Sequence, residues 1–183
     1  VGGRPVDNKM FDPWFRKTFT LTESLKEALI YVASIGYHEL YVNGCKIGNA
    51  VLAPSVTDHK SRARYVTYDI SHYLKKGENV IALWLGTSWA VFPAYQRNDK
   101  PAIPMALAQA EITLTSGSKV RVITDGSWKT HASPNVLMGY WDAHHFAGEF
   151  YDASLEINGW NEAGFDDSEW AEAKVYQPQI MVS

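Results

Sequence analysis

Cysteine occurs once in 183 residues, at Cys45, so no disulfide can form within the chain. A single thiol suits a reducing compartment without requiring one. No apolar run approaches the roughly 20 residues of a membrane helix, which excludes a helical membrane protein for this stretch. Basic residues do not cluster: Lys and Arg number 17 against 20 acids, for a net charge of −3. Lys60, Arg62 and Arg64 alternate along a strand edge, the pattern of a charge guard against edge pairing, not of a phosphate track. Nucleic acid is therefore not an expected partner. No long amphipathic helix appears, which argues against a βαβ fold. The opening VGGRPVDNKMFDPW has no charged and then apolar signal segment, and its start at Val reads as a piece cut from a longer chain. Localisation is not legible from it.

Aromatic residues and strand signals are present in quantity. Seven Trp, ten Tyr and seven Phe stand in a chain that is 46% hydrophobic and long enough to bury a sizeable core. Tryptophan-rich β domains bind sugars or peptides, and the same residues fill sandwich cores. The clearest local signal lies between Ala28 and Ile70. Two apolar runs, Ala28–Ile35 and Tyr37–Val42, break at Gly36 and end in Asn43-Gly44, the pair that a type I′ hairpin turn demands. A short return (45–47), a Pro-containing loop (53–58) and an alternating strand (63–70) follow. Trp14–Thr20, Val80–Leu85, Met105–Thr115 and Lys119–Thr124 read as further strands, the last two joined by Ser116-Gly117. Ser127–His131, Val136–Trp141 and Phe150–Ala153 are shorter candidates, and Ser71 to Gly77 reads as one capped helical turn. Nine to ten strands at roughly 8–12-residue spacing predict an all-β antiparallel sandwich or jelly roll. The expected organisation is a linker over 1–10, a sandwich over 11–155 and a loop-rich extension over 156–183 leading to a following domain. Two strands, ALIYVASI and VIALWLG, are apolar on both faces, although one face of an antiparallel sandwich is usually wet. Either a loop or a neighbouring domain covers them, and the cut look of the termini favours the domain.

Three constellations carry possible chemistry. Gly86-Thr87-Ser88-Trp89-Ala90 approximates a G-x-S-x-G elbow, with Asp142 and His144 later in the order of an α/β-hydrolase. The helix that should follow Ser88 is replaced by Val-Phe-Pro-Ala, so Ser88 reads better as a loop residue. His144 and His145 are adjacent, and neighbours on a strand point to opposite faces, so they do not chelate together. The acids Glu149, Asp152, Glu156, Asp166, Asp167, Glu169 and Glu172 look solvated or turn-forming, and spacing alone gives no glycosidase pair. The long loops are the better binding candidates. Asp58 follows Thr57 between two strands, and Asn98 and Asp99 share a loop with Trp89, Phe92, Tyr95 and Arg97. Loop oxygens beside aromatic rings can hold Ca²⁺ and a sugar together, or merely cap turns at a sandwich end.

Four segments in order resemble the non-catalytic β-sandwich near the N-terminus of bacterial α-L-rhamnosidases. They are FRKTFTL (15–21), GYHELYVNGCKIGNAVLAPSVTDH (36–59), YVTYDISHYLKKGENVIALWLGTSW (65–89) and GEFYDASLEINGWNEAGFDDSEW (148–170). The resemblance implies a galactose-binding-like jelly roll in a multidomain glycoside hydrolase whose two catalytic glutamates belong to a separate (α/α) barrel. It therefore implies no catalytic residue in this chain, that barrel as a partner, and a periplasmic or extracellular setting ahead of a cytoplasmic one. It also implies L-rhamnose bound through a Ca²⁺ held by Asp58, Asn98 and the Pro101 region, with Trp89, Tyr95 and Arg97 against the sugar. The family pattern has an amide after the aspartate, where this chain has His59. A domain that binds no ligand and only docks on the barrel is the competing expectation, and a hydrolase using Ser88 is the third.

Overall fold

The computed structural model describes residues 11–58, 61–86, 104–138, 148–176 and 181–182. Thirteen strands run through them: β1 (Phe11–Leu21), β2 (Leu25–Ile35), β3 (Tyr37–Val42), β4 (Cys45–Lys46), β5 (Arg62–Ala63), β6 (Tyr65–Asp69), β7 (Gly77–Gly86), β8 (Met105–Leu114), β9 (Lys119–Ile123), β10 (Lys129–Met138), β11 (Gly148–Tyr151), β12 (Ala171–Glu172) and β13 (Met181–Val182). Seven form one sheet in the order β11-β10-β1-β7-β3-β4, with β12 also paired to β10. Four form a second sheet, β6-β2-β8-β9, and β5 pairs with β13 in a short parallel ladder. All the other pairings are antiparallel, and the architecture is a β-sandwich.

The period-2 alternation of the sequence decides which side chains meet between the sheets. Leu40, Val42, Ile81, Leu83 and Leu85 come from the larger sheet and Ile30, Val32, Ala108, Ala110 and Ile112 from the smaller one, all buried in one cluster. Each fully buried aliphatic side chain contributes about 1.5–3 kcal/mol. The Asn43-Gly44 turn forms as the sequence predicts, with φ of 49° and 83°. Asn43 does more than turn the chain. Its side chain accepts from the Val80 amide (2.9 Å) and donates to the Asn79 carboxamide (2.8 Å), tying the hairpin to the start of β7.

Two expectations are corrected. Residues 71–77 form no helical turn: Ser71 Oγ accepts from the Ala28 amide (2.8 Å) and so ties down the edge of β2, while Gly77 (φ 96°) opens β7. Of the three short strand candidates, the first two merge into the single strand β10, which carries Pro134 within it.

The expectation that a neighbouring domain covers the doubly apolar strand β7 is also corrected. Its outward residues Ala82 and Trp84 lie under the chain's own segment 157–170, in a second cluster with Trp14, Tyr41, Ile157, Trp160, Phe165 and Trp170. Trp14 lies parallel to Trp160 (centroids 4.5 Å apart) and to Trp170 (6.2 Å). Beneath them the buried Arg16 donates to the Asp167 carboxylate and to the carbonyls of Phe165 (3.2 Å) and Glu162 (2.9 Å). Those carbonyls belong to irregular backbone and would otherwise be unpaired under the indoles.

Candidate functional site

Among the predicted site residues, Asp58 is the one that falls within the described residues. It is exposed at the end of the loop after β4 and ties down a turn: its backbone carbonyl accepts from the amides of Ser61 (2.9 Å) and Arg62 (3.0 Å), and its carboxylate accepts from the Ser61 hydroxyl (3.0 Å). The loop is anchored at its start as well, where the His38 amide donates to the Ala53 carbonyl (2.8 Å). Arg64 donates to Ser55 Oγ across the middle (2.6 Å). The aspartate is therefore held on a pinned loop, with its carboxylate at the surface. Trp89, Tyr95, Arg97, Asn98, Asp99 and Pro101 lie outside the described residues, as do His59, Ser88, Asp142, His144 and His145. Among the described residues no three His, Cys, Asp or Glu side chains gather as a metal cluster, and no helix is long and apolar enough to cross a membrane. Asp152 does what its position at a strand end suggests, accepting from the Ser154 amide (3.0 Å) and hydroxyl (2.6 Å) in a turn.

Two features near this loop were not legible in the sequence. The first is a buried polar chain. Ser34 Oγ lies within hydrogen-bond distance of the Gly36 carbonyl (3.1 Å) and of His38 Nδ1 (2.8 Å), the direction of the second bond following the imidazole tautomer. His38 Nε2 hydrogen-bonds the Tyr68 hydroxyl (3.0 Å). Every group in the chain is neutral and partnered, and burial holds the His38 pKa down to about 4. An imidazole so weakly basic is a poor general base for Ser34, so the pair reads as a structural contact.

The second is a cavity of about 740 Å³ at one open end of the sandwich, between the end of β2 and the start of β8. Leu83 and Trp128 are buried at its floor, Phe15, Ile35 and Ala106 are half-buried in its walls, and Leu107, Val175 and Tyr176 are exposed at its rim. Ala63 of β5 also lines it, five residues along the chain from Asp58. No periodicity in one strand announces such a cavity, because seven strands (β1, β2, β5, β7, β8, β10 and β12) and the segment after β12 all contribute to its lining.

Comparison with known proteins agrees with this architecture. Residues 23–181 match the model of the alpha-L-rhamnosidase N-terminal domain. An alpha-L-rhamnosidase of Formosa agariphila is 30% identical over 174 residues, covering 91% of this chain and 18% of the relative. The chain thus spans about a fifth of that relative's length. Among solved structures, the alpha-L-rhamnosidase of Dictyoglomus thermophilum superimposes with a TM-score of 0.80 at 36% identity, over 92% of this chain and 18% of that one. The Streptomyces avermitilis alpha-L-rhamnosidase complexed with L-rhamnose gives 0.82 at 28% identity, over 94% and 17%. By the extent of these matches, this chain belongs to the family of alpha-L-rhamnosidase N-terminal domains.

Proposed function

We propose that this domain is a non-catalytic, carbohydrate-binding accessory module of an α-L-rhamnosidase-like glycoside hydrolase, meeting a rhamnose-containing glycan at the loops that hold Asp58 and Asn98. The observation that supports it most is the match over 23–181 to a domain making up less than a fifth of enzymes of this class, one of them solved with L-rhamnose. In this reading the Asp58 carboxylate, the Asn98 amide and the Pro101 carbonyl supply hard oxygen ligands of the kind Ca²⁺ takes. The surface position of the Asp58 carboxylate, on a loop anchored through Ala53, Ser55 and Ser61, fits such a role. The ion would neutralise the carboxylate and accept sugar hydroxyls, while Trp89 and Tyr95 stack on the apolar face of the ring and Arg97 donates to its oxygens.

Calorimetry with L-rhamnose tests the reading. Heat is expected with Ca²⁺ present, lost with EDTA and lost in Asp58→Ala and Asn98→Ala. Binding that survives EDTA would replace the metal by aromatic stacking, and no heat at millimolar sugar would end the sugar reading.

A second reading, a domain that only docks on the catalytic barrel of the same parent, draws on the outer face of the smaller sheet. Leu29, Tyr65, Leu107 and Ile123 are 39%, 47%, 52% and 45% exposed there, a share of apolar surface that suits an interface within a larger chain. Under that reading the loop variants leave every property of the domain unchanged.

A further inference from the structure

We propose that the apolar cavity at the open end of the sandwich, whose lining does not include Asp58, is a second binding site for a small uncharged aromatic compound bearing a hydroxyl group. Its volume of about 740 Å³ falls within the range of small-molecule sites, roughly 300–1,000 Å³. Left to water, walls made of Phe15, Ile35 and Ala106 hold a solvent that finds few hydrogen-bond partners, and displacing it is favourable at about 25 cal/mol per Å² of apolar surface covered.

The lining sets the class of ligand. Trp128 at the floor is fixed, since its indole N–H donates to the Ile123 carbonyl (2.8 Å), so its ring offers a rigid aromatic surface. Phe15 on the wall and Tyr176 at the rim add two more rings. Planar rings meet such surfaces edge-on or offset-stacked, and they lose less rotational freedom on binding than a flexible chain would. Charge is not provided for. Asp125 and Glu172 stand at the cavity with Lys174, opposite signs in close company, and an ionic ligand would be repelled by part of the lining whichever sign it carried.

One polar anchor is built for. Thr130 Oγ1 donates to the Trp14 carbonyl (2.9 Å), Thr124 Oγ1 accepts from the Ala108 amide (3.1 Å), and Ser34 Oγ is committed in the His38 chain. Each of these lining hydroxyl oxygens keeps a lone pair, so the cavity accepts a hydrogen bond more readily than it donates one. A phenol-like hydroxyl satisfies that demand and a carboxylate does not.

The probe is 2-naphthol, titrated into the intact domain with tryptophan fluorescence and calorimetry as readouts. A saturable one-to-one isotherm with Kd below about 1 mM is expected, with quenching from Trp128. Ala106→Trp, which fills the cavity from the inner face of β8, should weaken binding at least tenfold while the circular dichroism spectrum is kept. Should that variant fail to fold, Leu107→Ser at the exposed rim should weaken binding by a smaller factor, about two- to fivefold. EDTA and Asp58→Ala should change nothing, so this site and the sugar site fail or stand separately. The proposal is overturned by no saturable signal up to the solubility of 2-naphthol, by affinity unchanged in the cavity variants, or by competition from L-rhamnose.

Discussion

The two sheets turn very different outer faces to their surroundings. On the larger sheet, the outward residues Trp14, Arg16, Ala82 and Trp84 are roofed by segment 157–170, which lays down Trp160 and Trp170 and spends its own carbonyls on Arg16. On the smaller sheet, Leu29, Tyr65, Leu107 and Ile123 occupy the equivalent outward positions on β2, β6, β8 and β9 with large exposed areas. Strands of similar apolar content thus reach opposite states. The apolar content of a strand says that something should cover it. What covers it depends on partners far away in sequence.

The largest effect that separates the faces lies in the roof. Trp160→Ala removes one plate of the stack on Trp14, opens a cavity and should cost about 3–5 kcal/mol in urea denaturation. The Arg16 clasp depends on the same segment, so the variant should also speed proteolysis within 157–170. A loss under about 1 kcal/mol would mean that the roof is dispensable and that both faces are effectively bare.

A second contrast is one of pH. The folded His38 pKa is depressed to about 4 from an ordinary 6.5, with the imidazole neutral between Ser34 and Tyr68. Below 6.5 the unfolded chain takes up the proton that the folded one refuses, so stability present above 6.5 is lost as pH falls toward 4. The gap of about 2.5 pH units amounts to roughly 3 kcal/mol. His38→Gln should flatten that slope between pH 6.5 and 4, whereas an unchanged slope would place the titration elsewhere. Because His38 also holds the Ala53 carbonyl, sugar affinity should weaken over the same interval if the Asp58 loop is the site.

Gly44 tests the seam between the hairpin and the roof. Its φ of 83° is the left-handed region, its amide donates to the Asn161 carbonyl (2.8 Å), and an added Cβ would sit 3.1 Å from Glu162 Cγ. Gly44→Ala should cost about 1–2 kcal/mol, most of it backbone strain, since the Glu162 side chain can move aside. Gly117 has φ of 87° and nothing near its missing Cβ, so Gly117→Ala isolates the strain alone and should cost somewhat less.

Sequence reasoning reached the sandwich because its signals are local. Asn43-Gly44, Ser116-Gly117 and the alternation in 63–70 each speak for a few residues, and the ordered motifs from FRKTFTL to GWNEAGFDDSEW carried the family. It missed what depends on distant partners. Arg16 reads as one charge in an alternating strand, and nothing near it announces Asp167, 151 positions away. Ser34 and His38 stand four residues apart across the Gly36 break, but Tyr68, 30 positions from His38, is brought to them only by the fold. Of the proposed sugar site, Asp58 stood out by type as a candidate oxygen ligand, but the aspartate satisfies a turn, and residue type alone does not distinguish a ligand from a turn former.

The smallest expected effect is on the bare face, and it is the one that decides whether bareness has a purpose. Leu107→Ser and Ile123→Thr replace side chains that are 52% and 45% exposed, so each should shift the stability of the isolated domain by no more than about 0.5 kcal/mol. Leu107 also touches the cavity rim, so Ile123→Thr is the cleaner of the two. If the face packs against the rest of a rhamnosidase-like parent, the same Ile123→Thr change made there should lower the unfolding temperature of the whole enzyme by several degrees while leaving the domain alone untouched. An interface core resembles a protein interior, where a lost aliphatic contact costs far more than on a wet surface. Equal and negligible shifts in both settings would show that the apolar residues on this sheet are ordinary surface.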